Sequence, residues 1–146
     1  MKNVFLLLAA AALLSGCVYN SKMSTGGEQL QHHRFVLESV NGKTVNSNGA
    51  PLEVSFGEKQ PLLNNIYLSG EMCNRFSGTA KISNGELKAS ELAMTRKRCS
   101  DAQLNQLDAT LSSMLRQGAQ VDLTEHQLTL ATADQTLTFK LADLVS

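Results

Sequence analysis

Hydrophobic and polar residues alternate in short runs along most of the chain. Leu52-Glu53-Val54-Ser55-Phe56, Gln127-Leu128-Thr129-Leu130 and Thr136-Leu137-Thr138-Phe139-Lys140-Leu141 each carry an apolar side chain at every second position. A period of two puts those side chains on one face of an extended chain, so each run predicts a half-buried strand. Phe35–Val40 is a further strand that runs into Asn41-Gly42, and Asn84-Gly85 separates two strand fragments, Ile82-Ser83 and Glu86-Leu87. Asn-Gly readily takes the left-handed backbone of a two-residue hairpin turn. Ile66–Gly70 is another strand candidate, and Ala131–Gln135 is a hairpin-sized connection.

One segment departs from this period. Leu104, Leu107, Leu111, Met114 and Leu115 recur at i, i+3, i+7, i+10 and i+11, which is one apolar stripe on a helix. Ser100 with Gln103 has the capping-box pattern, Asp101 suits a positive helix N-terminus, and Gly118 stands where a glycine ends a helix. The spacing predicts a helix over about 101–117. Antiparallel strands with one amphipathic helix make an α+β fold dominated by β. The stripe either lies across the sheet or plugs one end of a curled, barrel-like sheet.

The first residues follow neither period. Met1-Lys2-Asn3 precedes eleven unbroken apolar residues, Val4–Leu14. Eleven helical residues reach about 17 Å, short of the roughly 30 Å hydrocarbon core, so the run reads as a signal-peptide core and not a membrane span. Leu14-Ser15-Gly16-Cys17 matches the bacterial lipobox, in which cleavage after Gly16 leaves Cys17 as the lipid-bearing residue. Residues 1–16 are thus expected to be a lipoprotein signal, 17–29 a lipidated, Gly-containing tether, and 30–146 the folded domain. Val18 follows Cys17 where Asp would signal inner-membrane retention, which points to the outer membrane, facing the periplasm.

Charge narrows the partners. Lys and Arg total 13, as do Asp and Glu, so the formal net charge is zero; removal of residues 1–16 takes away only Lys2. A nucleic-acid partner, which calls for a basic surface, is not expected, and anionic lipids would gain nothing from such a balance. The lipid must then be the membrane anchor. An apolar content of 42% excludes a disordered chain.

Candidate chemistry is sparse. Cys73 and Cys99 are the thiols left once Cys17 is acylated, and in an oxidising compartment they read either as a disulfide or as two buried reduced thiols. A bond closing a loop of about 26 residues would stabilise the fold by roughly 3–4 kcal/mol. A catalytic Cys73 would need one of His32, His33 or His126 as its base. His32-His33 lacks a third metal ligand at useful spacing. No hydrolase elbow, zinc-peptidase, C-x-x-C or phosphate-loop motif is present in the sequence. No catalytic residue, metal or cofactor is expected. Arg96-Lys97-Arg98 is either a solvated charge run or, beside a disulfide, a fixed positive patch for a partner.

At Gly70-Glu71-Met72-Cys73-Asn74-Arg75-Phe76-Ser77-Gly78 the chain resembles the G-x-x-C-N-x-aromatic-x-G motif of the META domain family. Ala93-Met94-Thr95-Arg96-Lys97-Arg98-Cys99 is similar to that family's second motif, a Thr and then a Cys before the helix. The resemblance covers about residues 30–142. Phe35 stands where the family often has Trp, and Gln60–Asn65 is longer than that connection usually is. The resemblance implies a compact β-rich fold with one helix, both motif cysteines in one core, and no established reaction. It also implies a role in envelope stress and antibiotic tolerance. Gly70, Asn74, Phe76, Gly78, Met94 and Thr95 are the motif positions expected to serve structure or binding. The expected function is a monomeric, non-enzymatic envelope lipoprotein that binds another envelope component. The alternative is an inhibitor of a periplasmic hydrolase, a protease or lysozyme, working through an exposed Pro51–Pro61 or Arg96–Arg98 segment.

Overall fold

The computed structural model describes residues 25–143; the expected signal peptide and Cys17 lie outside the described residues. A one-turn helix α1 (Gly27–Leu30) leads into β1 (Arg34–Val40), β2 (Lys43–Thr44), β3 (Glu53–Lys59), β4 (Asn65–Glu71), β5 (Arg75–Ser83), β6 (Glu86–Lys88) and β7 (Ala93–Met94). The long helix α2 (Ala102–Gln117) follows, then β8 (Ala119–Thr124), β9 (Gln127–Ala131) and β10 (Thr136–Leu141). The order β1-β3-β4-β5-β6-β8-β9-β10 closes through pairing of β10 with β1, giving an antiparallel barrel of eight strands. Short β2 extends the β1 edge, and β7 pairs with the first residues of β5.

The alternation seen in the sequence fills this barrel. Phe35, Val54, Phe56, Ile66, Leu68, Ile82, Val121, Leu128, Leu130, Leu137 and Phe139 all join one buried cluster. Phe35 meets Phe56 edge to face, ring centroids 6.0 Å apart. Asn41-Gly42 and Asn84-Gly85 have positive φ at both residues, as their tight turns require. Leu52 departs from the expected strand. It is buried but takes φ +46° just outside β3, where its carbonyl accepts the Leu37 N–H at 2.8 Å.

The two ends of the barrel are closed differently. Helix α2 runs from beside the β4–β5 turn to the start of β8, burying Leu107, Leu111, Met114 and Leu115 against the core. The Ala89 N–H past β6 donates to Leu115 O at 2.8 Å, holding the helix end down. The helix therefore plugs one barrel end. Its N-cap is Asp101, which accepts the Gln103 N–H at 2.8 Å, and not Ser100 as the capping-box pattern suggested. Gly118 ends the helix at φ +100°. At the opposite end α1 inserts fully buried Leu30, and Thr25 Oγ1 accepts the Leu123 N–H at 2.8 Å. Folded structure thus begins by Thr25, so residues 25–29 belong to the domain and not to the expected tether.

Candidate functional site

The motif residues gather at the α2 end. Cys73 and Cys99 form a disulfide with Cα atoms 5.9 Å apart. It links the β4–β5 turn to the segment between β7 and α2. Asn74, buried beside it, uses all of its hydrogen-bonding capacity. Its Oδ1 accepts from Thr95 Oγ1 and from the Lys97 N–H, each at 2.8 Å. Its Nδ2 donates to Lys97 O at 2.9 Å and to Asp108 Oδ2 at 2.8 Å. Asp108 Oδ1, from the helix, accepts the N–H groups of Cys73 and Asn74, both at 3.1 Å. Asn105, one turn earlier, accepts the Cys99 N–H at 3.1 Å and donates to Cys99 O at 2.8 Å.

Buried polar groups of this kind are stable only when every partner is supplied, and here the set is complete. The sequence singled out Asn74 and Thr95 but not Asn105 or Asp108. Their one signal is a polar pair at i and i+3 beside the apolar stripe, in the N-terminal half of the helix.

Arg96, Lys97 and Arg98 are all exposed. Their backbone is nevertheless fixed, by Asn74 at both polar groups of Lys97 and by the adjoining disulfide. The three cations therefore project from a braced segment. The other segment expected to be exposed to a partner, Pro51–Pro61, is mostly strand: Glu53–Lys59 is β3 in the barrel wall, and only its ends lie outside it. It is corrected from a candidate contact loop to a structural strand.

Next to the clamp, the outer faces of β3, β4, β5 and β7 enclose an open groove of about 670 Å³. Ser55, Ser69 and Ser77 stand in register across its floor. Glu53 pairs with Arg34 at 2.8 Å, and Glu71 lies 3.6 Å from Arg75. Among the described residues no histidine lines the groove, so none of them offers its serines a neighbouring imidazole base. Gly70 and Phe76 abut each other at its edge, Phe76 is in register with Met94, and Gly78 backs onto the Glu91–Leu92 backbone.

The histidines stand apart from Cys73. His33 Nδ1 pairs with Asp143, whose Oδ1 accepts the Arg34 N–H at 2.6 Å, at the α1 end of the barrel. His126 lies in the β8–β9 turn at that same end. Cys73 is disulfide-bonded at the other end, so the described residues assemble no thiolate–imidazole pair. They also bring together no group of three metal-ligating side chains.

Comparison with known proteins agrees with this architecture. The chain is 61% identical, over the full length of both, to "Heat shock protein HslJ" of Escherichia coli (strain K12). A solved NMR structure, 65% identical, superposes with a TM-score of 0.72 over 84% of this chain and 99% of its own. A second NMR structure, from Burkholderia xenovorans, is 20% identical and shares the fold at a TM-score of 0.60, covering 84% of this chain and 88% of its own. The family model for the META domain matches residues 28–143. With a closed β-barrel, a helical plug and that match across the folded region, the chain belongs to the META domain family.

Proposed function

We propose that this chain is a non-enzymatic, stress-associated lipoprotein of the bacterial envelope that binds an anionic envelope component through Arg96, Lys97 and Arg98. The carrying observation is the braced backbone beneath those cations. A backbone held in place before binding has less conformational entropy to lose when it binds, which lowers the cost of placing its three cations against a partner. The name of the 61%-identical relative supports a role in heat stress. The lipobox at Leu14–Cys17 supports a lipid anchor on Cys17, with the domain on the periplasmic side of the outer membrane. Antibiotic tolerance would follow if the bound component is one that antibiotics attack or cross.

The alternative, inhibition of a periplasmic hydrolase, retains support from the same feature, since a rigid exposed segment suits insertion into a cleft. It would require an acidic cleft. Heat survival of cells lacking the gene tests the proposal. Wild-type protein should restore survival, and an Arg96→Glu/Lys97→Glu/Arg98→Glu variant of equal abundance and unchanged melting temperature should not. Full rescue by that variant would defeat the proposal, and purified protein that inhibits a periplasmic protease or lysozyme would favour the alternative.

A further inference from the structure

The β3–β4 connection carries two leucines that the core does not use. Leu62 is 95% exposed and Leu63 54% exposed, with Tyr67 at 49% on the adjoining strand. Adjacent exposed apolar side chains at a loop tip, with an exposed tyrosine farther along the adjoining strand, have the composition of a membrane-interface contact.

Their position in the fold says what covers them. The connection sits at the α1 end of the barrel, where the chain enters from its N-terminal side. Lys59 ties the two together: its Nζ donates to Leu63 O at 3.3 Å and to Gln60 O at 3.2 Å, while its stem lies against Gly27 of α1. Thr25 follows Cys17 by only eight positions. Even fully extended, eight residues span at most about 29 Å, so a lipid on Cys17 keeps this end of the barrel close to the bilayer. Strand β5, nine residues and on the order of 30 Å long, separates it from the end that carries Arg96–Arg98.

We infer that Leu62 and Leu63 dip into the phospholipid interface, as a second contact beside the lipid anchor. Together the two contacts fix the barrel upright, with the basic segment turned away from the membrane. This inference rests on the lipoprotein reading of Cys17. Glu28, Glu58 and Glu125 share the α1 end with Lys59 and Lys81, so the contact is apolar and draws little on anionic lipid.

Isotope-labelled, lipidated protein purified from membranes and placed in phosphatidylethanolamine–phosphatidylglycerol nanodiscs provides the test. Lipid spin-labelled near the top of the acyl chain should broaden the Leu62 and Leu63 amide signals at least fivefold more than those of Lys97 and Arg98. Leu62→Ser/Leu63→Ser, two exposed changes, should reduce that difference at least twofold, to what the tether alone gives, while the protein still co-elutes with nanodiscs; an undiminished difference in this variant would overturn the second contact. Co-elution with equal broadening at both ends keeps the lipid anchor and overturns the second contact. Protein that fails to co-elute overturns the anchor reading, and the inference with it.

Discussion

Asn74 and Lys97 are joined twice: the Asn74 carboxamide accepts the Lys97 N–H at 2.8 Å and donates to the Lys97 carbonyl at 2.9 Å. One side chain thus plays the part of a neighbouring strand for a segment that has run past β7 and has no strand beside it. The same carboxamide reaches Asp108 on α2, so barrel, helix and basic segment share one clamp.

Asn74→Ala should lower stability by about 2–4 kcal/mol, because it removes the partner of the Lys97 N–H, of the Lys97 carbonyl and of Asp108 Oδ2. Urea unfolding should show a lower midpoint at unchanged slope. Asn74→Asp should be no better at neutral pH, since a second carboxylate would face Asp108. A wild-type midpoint for either variant would mean that the clamp carries no stability.

Much of the barrel is legible in the chain, and the misses share one cause. The alternation of Gln127–Leu130 and Thr136–Leu141 reports its own strands because the buried face repeats locally. The leucine stripe reports α2 for the same reason. Leu52 continues an alternating pattern but leaves the strand at φ +46°, where its carbonyl accepts the Leu37 N–H from 15 positions earlier. Ser100 and Asp101 are both capping residues; the path from the disulfide to the helix decides between them. Thr25 looks like part of a polar linker, yet its partner Leu123 is 98 positions away. Asn74 stands out in its motif, but its partners Lys97 and Asp108 lie 23 and 34 positions on. Local periodicity carries no record of such pairings.

Removing the disulfide as Cys73→Ser/Cys99→Ser should cost about 3–4 kcal/mol, the entropy of freeing a loop of that size in the unfolded chain. The Asn74 and Asn105 contacts remain, so the variant should still melt cooperatively at a lower temperature and should still rescue heat survival under permissive conditions. A stable variant that fails to rescue would assign these cysteines a chemical role.

The two motif glycines should respond unequally to alanine. A Cβ at Gly70 would lie 2.2 Å from Glu53 O and 2.6 Å from Phe76, whereas at Gly78 the closest approach is 3.0 Å. Gly70→Ala must push β3 away from β4 and should cost about 3 kcal/mol or more; Gly78→Ala should cost less. Paired thermal melts check the order, and the reverse order would contradict the packing described.

Asp143 gives a pH signature. Burial alone would raise its pKa, but the Arg34 N–H, the His33 ring and attraction to both neighbours outweigh it and hold the carboxyl below its ordinary value. A lowered pKa contributes stability above the unfolded-state value, lost as pH falls through the folded one. Asp143→Asn should therefore be slightly less stable than wild type at pH 7, solvent screening keeping the gap small, and the gap should close as pH falls through the lowered pKa of Asp143. A gap that persists at pH 2 would mean that the substitution acts through packing.

The clamped cations are proposed to meet an anionic envelope component. Site-specific photo-crosslinking in heat-stressed cells tests it most directly, with the crosslinker at position 98 and, as a control, at exposed Gln120 on the β8 wall. Position 98 should give a discrete adduct that disappears in an Arg96→Glu/Lys97→Glu background, and position 120 should give no such adduct. The same adducts from both positions, or an adduct at 98 that survives charge reversal, would contradict it.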